Sequence, residues 1–262
     1  PEVNAPEQKV EFDQPHRRLV FSSHGGVLTS ALLKGEQFMR RKDGKDEPVD
    51  LVQQANGVPL PLSLALEAGG ATLRPDQPMI AEKTADGVIF TAKLGDLELT
   101  KKYTVPATGY DLQLDITWKN AGASPVSGKW TTLMTAHDTR KGEGGMFSSA
   151  PNEGLLPVVR VDDKVEHHAG DKSGSGVTKS GEVAFLGLDE RYFMEAVYPT
   201  KDKHADVSLH VTDNGQLRRA ELGFGLSLQP GQAQTRTLGV FLGPKQQETL
   251  LEAGNSLPTL AE

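Results

Sequence analysis

The most regular feature of the chain is a two-residue alternation of apolar and polar side chains. Between Tyr110 and Lys119 the even positions are apolar and the odd positions are polar. The same alternation is found in segments 97–105, 207–212 and 222–228. Because successive side chains of a β-strand point to opposite faces of the sheet, each segment predicts a strand with one face in the core and one in water.

One segment departs from this alternation in an informative way. Between Tyr192 and Tyr198, Phe193 and Val197 lie opposite further apolar residues, so both faces are apolar. This pattern is typical of a strand covered on both sides, and we expect it near the middle of a sheet.

Short turn sequences separate the predicted strands. Gly95-Asp96 fits a two-residue hairpin loop, Asn214-Gly215 fits a type I′ turn, and Pro230-Gly231 fits a type II turn. Long helices do not alternate with the strands. The pattern therefore predicts an all-β sandwich of mostly antiparallel strands and argues against a doubly wound parallel sheet.

Two stretches interrupt the alternation, and one short helix is expected near the end. Segments Lys141–Gly154 and Asp162–Glu182 are polar and glycine-rich, which predicts long excursions over the surface. Pro244–Ala253 is the best helix candidate, since Pro stands at its start and Gly254 follows its last turn. We place no domain boundary inside the sandwich.

Composition narrows the classes of function. The 262 residues carry a formal charge of −7 and no cysteine, which excludes disulfides and thiolate metal sites. Basic residues are scattered, and the short run Arg40–Lys42 is expected to be a solvated loop, so nucleic-acid binding is disfavoured. No stretch has the ~18–20 apolar residues of a membrane span, and we expect a soluble polypeptide.

Motifs for catalysis are weak. There is no Gly-x-Ser-x-Gly elbow, and the many carboxylates do not single out a glycosidase pair. The neighbouring His167 and His168 would point to opposite faces of a strand, which disfavours a shared metal ion. Trp118 lies in the apolar register of its strand and is expected in the core, while the position of Trp130 is less defined. We predict no cofactor, no metal site and no catalytic residue.

Several segments together resemble the periplasmic domain of YidC-type membrane protein insertases. The similar segments are Leu19–Leu33 with its Gly25-Gly26 turn, Leu99–Val105 followed by Tyr110–Asn120, Gly187–Pro199, and Leu228–Gly231 with Phe241–Lys245. The last of these is the most specific. Together they span about Arg17 to Leu257, although no single motif would suffice.

The resemblance implies a β-supersandwich similar to galactose mutarotases, with a short C-terminal helix. It implies a flexible segment 1–16, a sandwich 17–243, and a helix and linker 244–262 leading toward a membrane span. The implied role is a docking or spacer module on the periplasmic side of the bacterial inner membrane. Insertase activity would belong to membrane spans outside this segment.

The resemblance also implies partners. These are Sec translocon components such as SecF, nascent membrane proteins and periplasmic chaperones. We expect Lys245, Glu248 and Glu252 to be exposed on the C-terminal helix and to contact a partner, while Leu250 and Leu251 anchor the helix to the sheet.

Two alternatives stay open. A carbohydrate-binding or mutarotase-like protein would need aromatic and carboxylate side chains that converge on one pocket. A periplasmic adhesion or scaffold module would lack flanking spans in its gene. The sequence alone does not identify the partner, a ligand or the oligomeric state.

Overall fold

The computed structural model describes residues 5–42, 44–137, 155–169, 176–212, 216–248 and 250. Within these residues the chain forms the strands β1 Lys9–Asp13, β2 Arg17–Ser22, β3 Val27–Leu33, β4 Met39–Lys42, β5 Lys45–Pro48, β6 Leu64–Ala68, β7 Ile80–Lys83, β8 Gly87–Leu94, β9 Leu97–Thr104, β10 Asp111–Asn120, β11 Val126–His137, β12 Leu156–Val161, β13 Lys164–His167, β14 Val177–Asp189, β15 Phe193–Pro199, β16 His204–Thr212, β17 Leu217–Leu228 and β18 Ala233–Pro244. A 3-10 turn, Glu36–Phe38, precedes β4. The fold is all-β, as the alternation predicts.

The strands form one large sheet and two small ones, and each described pairing is antiparallel. The large sheet has 13 strands, with the order β6-β11-β17-β16-β14-β15-β18-β10-β9-β8-β7 and β12-β13 attached to β14. The small sheets are β1-β2-β3 and the hairpin β4-β5. Expectations of a mostly antiparallel sandwich are confirmed.

Strand β14 joins the two layers of the sandwich. Its first half pairs with β16, and its second half pairs with β12 and β15. The sheet folds back on itself, so that Trp118 on β10 packs against Trp130 on β11 with ring centroids 6.3 Å apart. Both indoles are buried, which confirms the prediction for Trp118 and settles Trp130.

Several local predictions are also confirmed. Strand β15 is buried along its whole length between β14 and β18. The two-residue loop Gly95-Asp96 joins β8 to β9, with Gly95 at a φ of 64°. In the turn after β17, Gly231 has a φ of 78° and the amide of Gln232 donates to the carbonyl of Gln229. Asn214-Gly215 and the stretch 138–154 lie outside the described residues.

Three expectations differ from the structure. Arg40–Lys42 is not a loop, because Met39–Lys42 pairs with β5. The stretch Asp162–Glu182 is only in part an excursion, since it contains β13 and the first half of β14. Strand β1 pairs with β2, so the sheet begins before residue 17, the start expected for the sandwich. In each case backbone pairing to a neighbouring strand outweighs a polar local sequence.

The small sheet β1-β2-β3 is fastened to the large one by Arg17. Its side chain is buried, and it donates to the carbonyls of Pro106 and Asp111 and to the side chain of Gln14. Desolvation lowers the pKa of Arg17 to about 10, so the guanidinium keeps its charge at neutral pH.

Candidate docking site at the end of strand β14

The residues expected to contact a partner occupy different environments. Glu248 is exposed, in agreement with the expectation, and Glu252 lies outside the described residues. The expected exposure of Lys245 is wrong: its side chain is only 17% exposed and its Nζ lies 2.7 Å from Oδ1 of Asp189. The ammonium group of Lys245 is held in this half-buried position by its ion pair with the carboxylate of Asp189.

Asp189 therefore holds the chain that leaves the sheet after β18. Its other oxygen, Oδ2, lies 2.9 Å from Nε2 of His167 on β13. The two contacts join the end of β14 to β13 and to the C-terminal segment. His167 thus has a carboxylate partner, whereas the neighbouring His168 is buried.

The next residue, Glu190, makes a third connection. Its Oε2 lies 2.6 Å from Nη2 of Arg40 on β4, and Glu190 is almost buried. The guanidinium of Arg40 also lies over the ring of Phe193, 5.1 Å from its centroid. The hairpin β4-β5, which pairs with no other described strand, is fastened to the large sheet at this point.

A further carboxylate at this place is that of Glu195, on which the charge of Glu190 acts. Glu195 on β15 is 3% exposed, and its Oε2 has no hydrogen-bond partner among the described residues. Burial raises the pKa of Glu195 well above its usual value of 4.5, and the negative charges of Glu190 and Asp50 add to this, while Arg40 opposes it.

Apolar packing holds the C-terminal segment as well. Leu250 is fully buried in a hydrophobic cluster with Met194, Tyr198 and Phe241 on the sheet face. The amide of Leu250 donates to the carbonyl of Gln246, as in a helix. The anchoring role predicted for Leu250 is confirmed, while Leu251 lies outside the described residues. The predicted helix start at Pro244 is wrong, because Pro244 is the last residue of β18; positions 249 and 251–253 of the predicted helix are not described.

A second buried ionisable residue, Lys101 on β9, was missed by the sequence reasoning. Its Nζ lies 2.7 Å from the carbonyl oxygen of Leu62 and 3.1 Å from that of Gly25. Desolvation lowers its pKa to about 7. A signal was present, because Lys101 occupies an inward position of the alternation between Leu99 and Tyr103.

Two surface clefts of the described residues have volumes of about 400 and 560 Å³. The first carries the polar residues Glu7, His24 and Asp76, and the second carries Lys34, Glu36 and Asp46. Neither of the two is lined by an aromatic side chain, which a sugar platform requires. Among the described residues no group of three or more His, Asp and Glu side chains could hold a metal ion. Nor does the described part of the chain contain a helix long and apolar enough to cross a membrane.

Solved structures of mutarotase-like proteins share the fold. A galactose mutarotase-like protein from Lactobacillus casei superposes with a TM-score of 0.62 and 11% identity, covering 90% of this chain and 100% of that one. A putative aldose 1-epimerase from Escherichia coli superposes with a TM-score of 0.51 and 8% identity, covering 91% and 100%. At such identities the likeness defines the fold class alone, a galactose mutarotase-like β-supersandwich.

Sequence similarity identifies the family. The family model of the YidC periplasmic domain matches residues 9–261. The membrane protein insertases YidC of Anaeromyxobacter sp. and Geobacter sulfurreducens are 29% and 27% identical, each over 94% of this chain. The chain belongs to the YidC periplasmic domain family. It spans less than half the length of these relatives, 45% and 46%.

Proposed function

We propose that this domain is a non-catalytic docking or spacer module on the periplasmic side of the bacterial inner membrane, and that it acts during membrane protein insertion. The family membership supports the insertase context. The polypeptides that it contacts would be nascent membrane proteins, Sec translocon components such as SecF, or periplasmic chaperones.

One observation carries the proposal: the C-terminal segment is fixed to the sheet at two points. Lys245 is paired with Asp189, and Leu250 is fully buried on the sheet face. A segment held by an ion pair and by apolar packing transmits the position of the sandwich to the residues that follow it. In this proposal, residues 244–262 form the connection to the membrane-embedded part of the protein.

The absence of catalysis is part of the proposal. The buried Lys101 contacts two backbone carbonyls, and the two clefts described above lack a convergent set of aromatic and carboxylate groups. A mutarotase assay with aldose sugars is expected to give the uncatalysed rate. A rate that depends on protein concentration and is lost in one point variant would overturn this part.

The docking role is tested in the full-length insertase that contains this domain. Lys245, Glu248 and Glu252 are replaced together by alanine, and insertion of a reporter membrane protein and co-purification of partners are measured. A matched control removes the same charges at the exposed positions Lys93, Glu82 and Glu182. Loss of insertion or of partner binding in the first variant only is expected; equal behaviour of both variants would refute the role of the C-terminal segment.

A further inference from the structure

A cluster of charged side chains lies where the hairpin β4-β5 meets strand β15. It contains three carboxylates, Asp50, Glu190 and Glu195, and one guanidinium, that of Arg40. Each of the other three acts electrostatically on Glu195, and Arg40 is the cation among them. Of these three charges that act on Glu195, two are negative and one is positive.

The contacts of Arg40 are those by which proteins recognise a guanidinium ion. A carboxylate oxygen of Glu190 lies 2.6 Å from Nη2, and the face of Phe193 lies 5.1 Å from Cζ. The ring of Phe38 packs against Phe193 with centroids 6.2 Å apart and holds it in place. A planar cation that both stacks on a ring and pairs with a carboxylate matches this geometry better than an ammonium group does.

One acceptor of the cluster is left without a partner. The side chain of Asp50 receives hydrogen bonds from Ser30 and from the amides of Ala31 and Val52. In contrast, Oε2 of Glu195 is buried and has no partner among the described residues. A buried polar atom without a partner is unfavourable, which indicates that the cluster can accept another donor.

Access to the cluster depends on Arg40 and its hairpin. The Arg40 side chain is 36% exposed, so its cation reaches the cluster from the surface. Strands β4 and β5 pair only with each other among the described strands, so withdrawing Arg40 breaks no backbone pairing of the large sheet.

We propose that the cluster of Asp50, Glu190, Glu195 and Phe193 is a binding pocket for an arginine side chain of a polypeptide partner, and that Arg40 occupies it in the free domain. The partner's arginine displaces Arg40, pairs with Glu190 and donates to Glu195. The pocket would thus supply part of the docking surface, and in that respect the inference rests on the proposed function.

The deciding experiment measures binding of Nα-acetyl-arginine amide to the 262-residue chain, with Nα-acetyl-citrulline amide as the neutral analogue of the same shape. Wild-type protein and the Arg40→Ser variant are titrated, and chemical shifts of the Phe193 and Glu195 amides are followed. In wild type, Arg40 occupies the pocket, so the apparent affinity for the probe is reduced in proportion to the fraction of molecules in which the pocket is free. The Arg40→Ser variant is therefore expected to bind the arginine probe at least about tenfold more tightly than wild type.

Matched variants test whether the pocket itself is responsible. Arg41→Ser removes the neighbouring arginine, which is 72% exposed and pairs with Asp46 instead, and it should bind like wild type. Adding Glu190→Gln to Arg40→Ser should abolish the preference for arginine over citrulline. If Arg40→Ser does not fold, Arg40→Lys keeps a cation at the site and is expected to bind the arginine probe more tightly than wild type, because lysine stacks less well on Phe193.

Each outcome decides the matter. Saturable binding of the arginine probe to wild type, strengthened by Arg40→Ser and lost on adding Glu190→Gln, supports the proposal. If wild type shows no arginine-selective binding, even where Arg40→Ser binds the probe, Arg40 is a permanent structural residue and the proposal is overturned. This assay uses no membrane, so its failure leaves the insertion test of the C-terminal segment unaffected.

Discussion

Lys101 allows the sharpest test of the structure, through the pH dependence of stability. Its side chain is fully buried, and the nearest described acceptors are two backbone carbonyls rather than a carboxylate. Burial removes the ammonium group from water, so folding favours the uncharged amine, which can still donate to both carbonyls. This is why the pKa falls from 10.5 in the unfolded chain to about 7 in the folded one.

The sign of the effect follows from proton binding. Between pH 7 and 10.5 the unfolded chain binds more protons at Lys101 than the folded chain does, so the free energy of unfolding rises with pH. The fall of the pKa from 10.5 to about 7 corresponds to a destabilisation of about 4 kcal/mol at pH 7, of which about 1 kcal/mol remains at pH 10. The destabilisation is fully present below pH 7 and is lost above the unfolded value.

The assay compares wild type with Lys101→Met, which has a similar length and no charge. Urea unfolding followed by the fluorescence of the buried Trp118 and Trp130 gives the free energy of each protein between pH 7 and 10. Relative to the variant, wild type should gain about 3 kcal/mol over this range. Other titrating groups are common to both proteins and cancel in the difference.

A difference that changes by less than about 1 kcal/mol over the same range would refute the reasoning, since it would mean that Lys101 keeps a nearly normal pKa. The difference in the free energy of unfolding between wild type and Lys101→Met at pH 10 is also informative. The variant leaves the carbonyls of Gly25 and Leu62 without the lysine donor, so wild type should be the more stable protein there by about 1–3 kcal/mol.

Three further predictions follow from the packing. Glu195→Gln should raise the melting temperature at pH 8 by about 2–4 °C, because a buried carboxyl with a raised pKa destabilises the fold above pH 4.5. The gain should vanish near pH 4; a gain that is the same at both pH values would show that it does not come from the pKa of Glu195. Lys245→Ala should increase hydrogen exchange at the Leu250 amide by about tenfold through loss of the Asp189 pair, whereas Lys201→Ala, an exposed control, should not. Gly187→Ala should lower the free energy of unfolding in urea by about 3 kcal/mol or more, since its Cβ would lie 1.8 Å from the carbonyl oxygen of Glu195. Gly225→Ala, with open space around it, should be neutral, and equal effects of the two substitutions would disprove the close approach of β14 and β15.

Periodicity predicts the large sheet well because burial of one strand face is a local property of the sequence. The alternation of Leu112, Leu114, Ile116 and Trp118 defines both β10 and its core face. It fails where a strand is held by contacts other than the burial of an apolar face. Strand β4, with Arg40 and Arg41, has no apolar face of its own, and its formation depends on β5 and on the contact of Arg40 with Glu190.

The candidate site was only partly predictable for a related reason. Lys245 stands two residues after Gly243 and reads as the exposed start of a helix, and nothing local reveals that Asp189, 56 positions earlier, will lie beside it. Lys101 and Glu195 did leave a local trace, since each interrupts the inward-facing register of an otherwise apolar strand. A charged residue at an inward position requires a partner, but only the fold shows which one.

The buried basic residues Arg17 and Lys101 share a position in the architecture that explains why a basic residue stands there. Arg17 lies where the small sheet meets the loop before β10, and Lys101 lies where the segments at Gly25 and Leu62 approach β9. Both sites bring backbone carbonyls into the interior outside the regular sheet pairing. Those carbonyls need donors, and a long basic side chain that starts from a strand can donate to two of them at once, which an apolar residue cannot. Replacing such a residue by an apolar one should therefore loosen the attached segment more than the sheet beneath it.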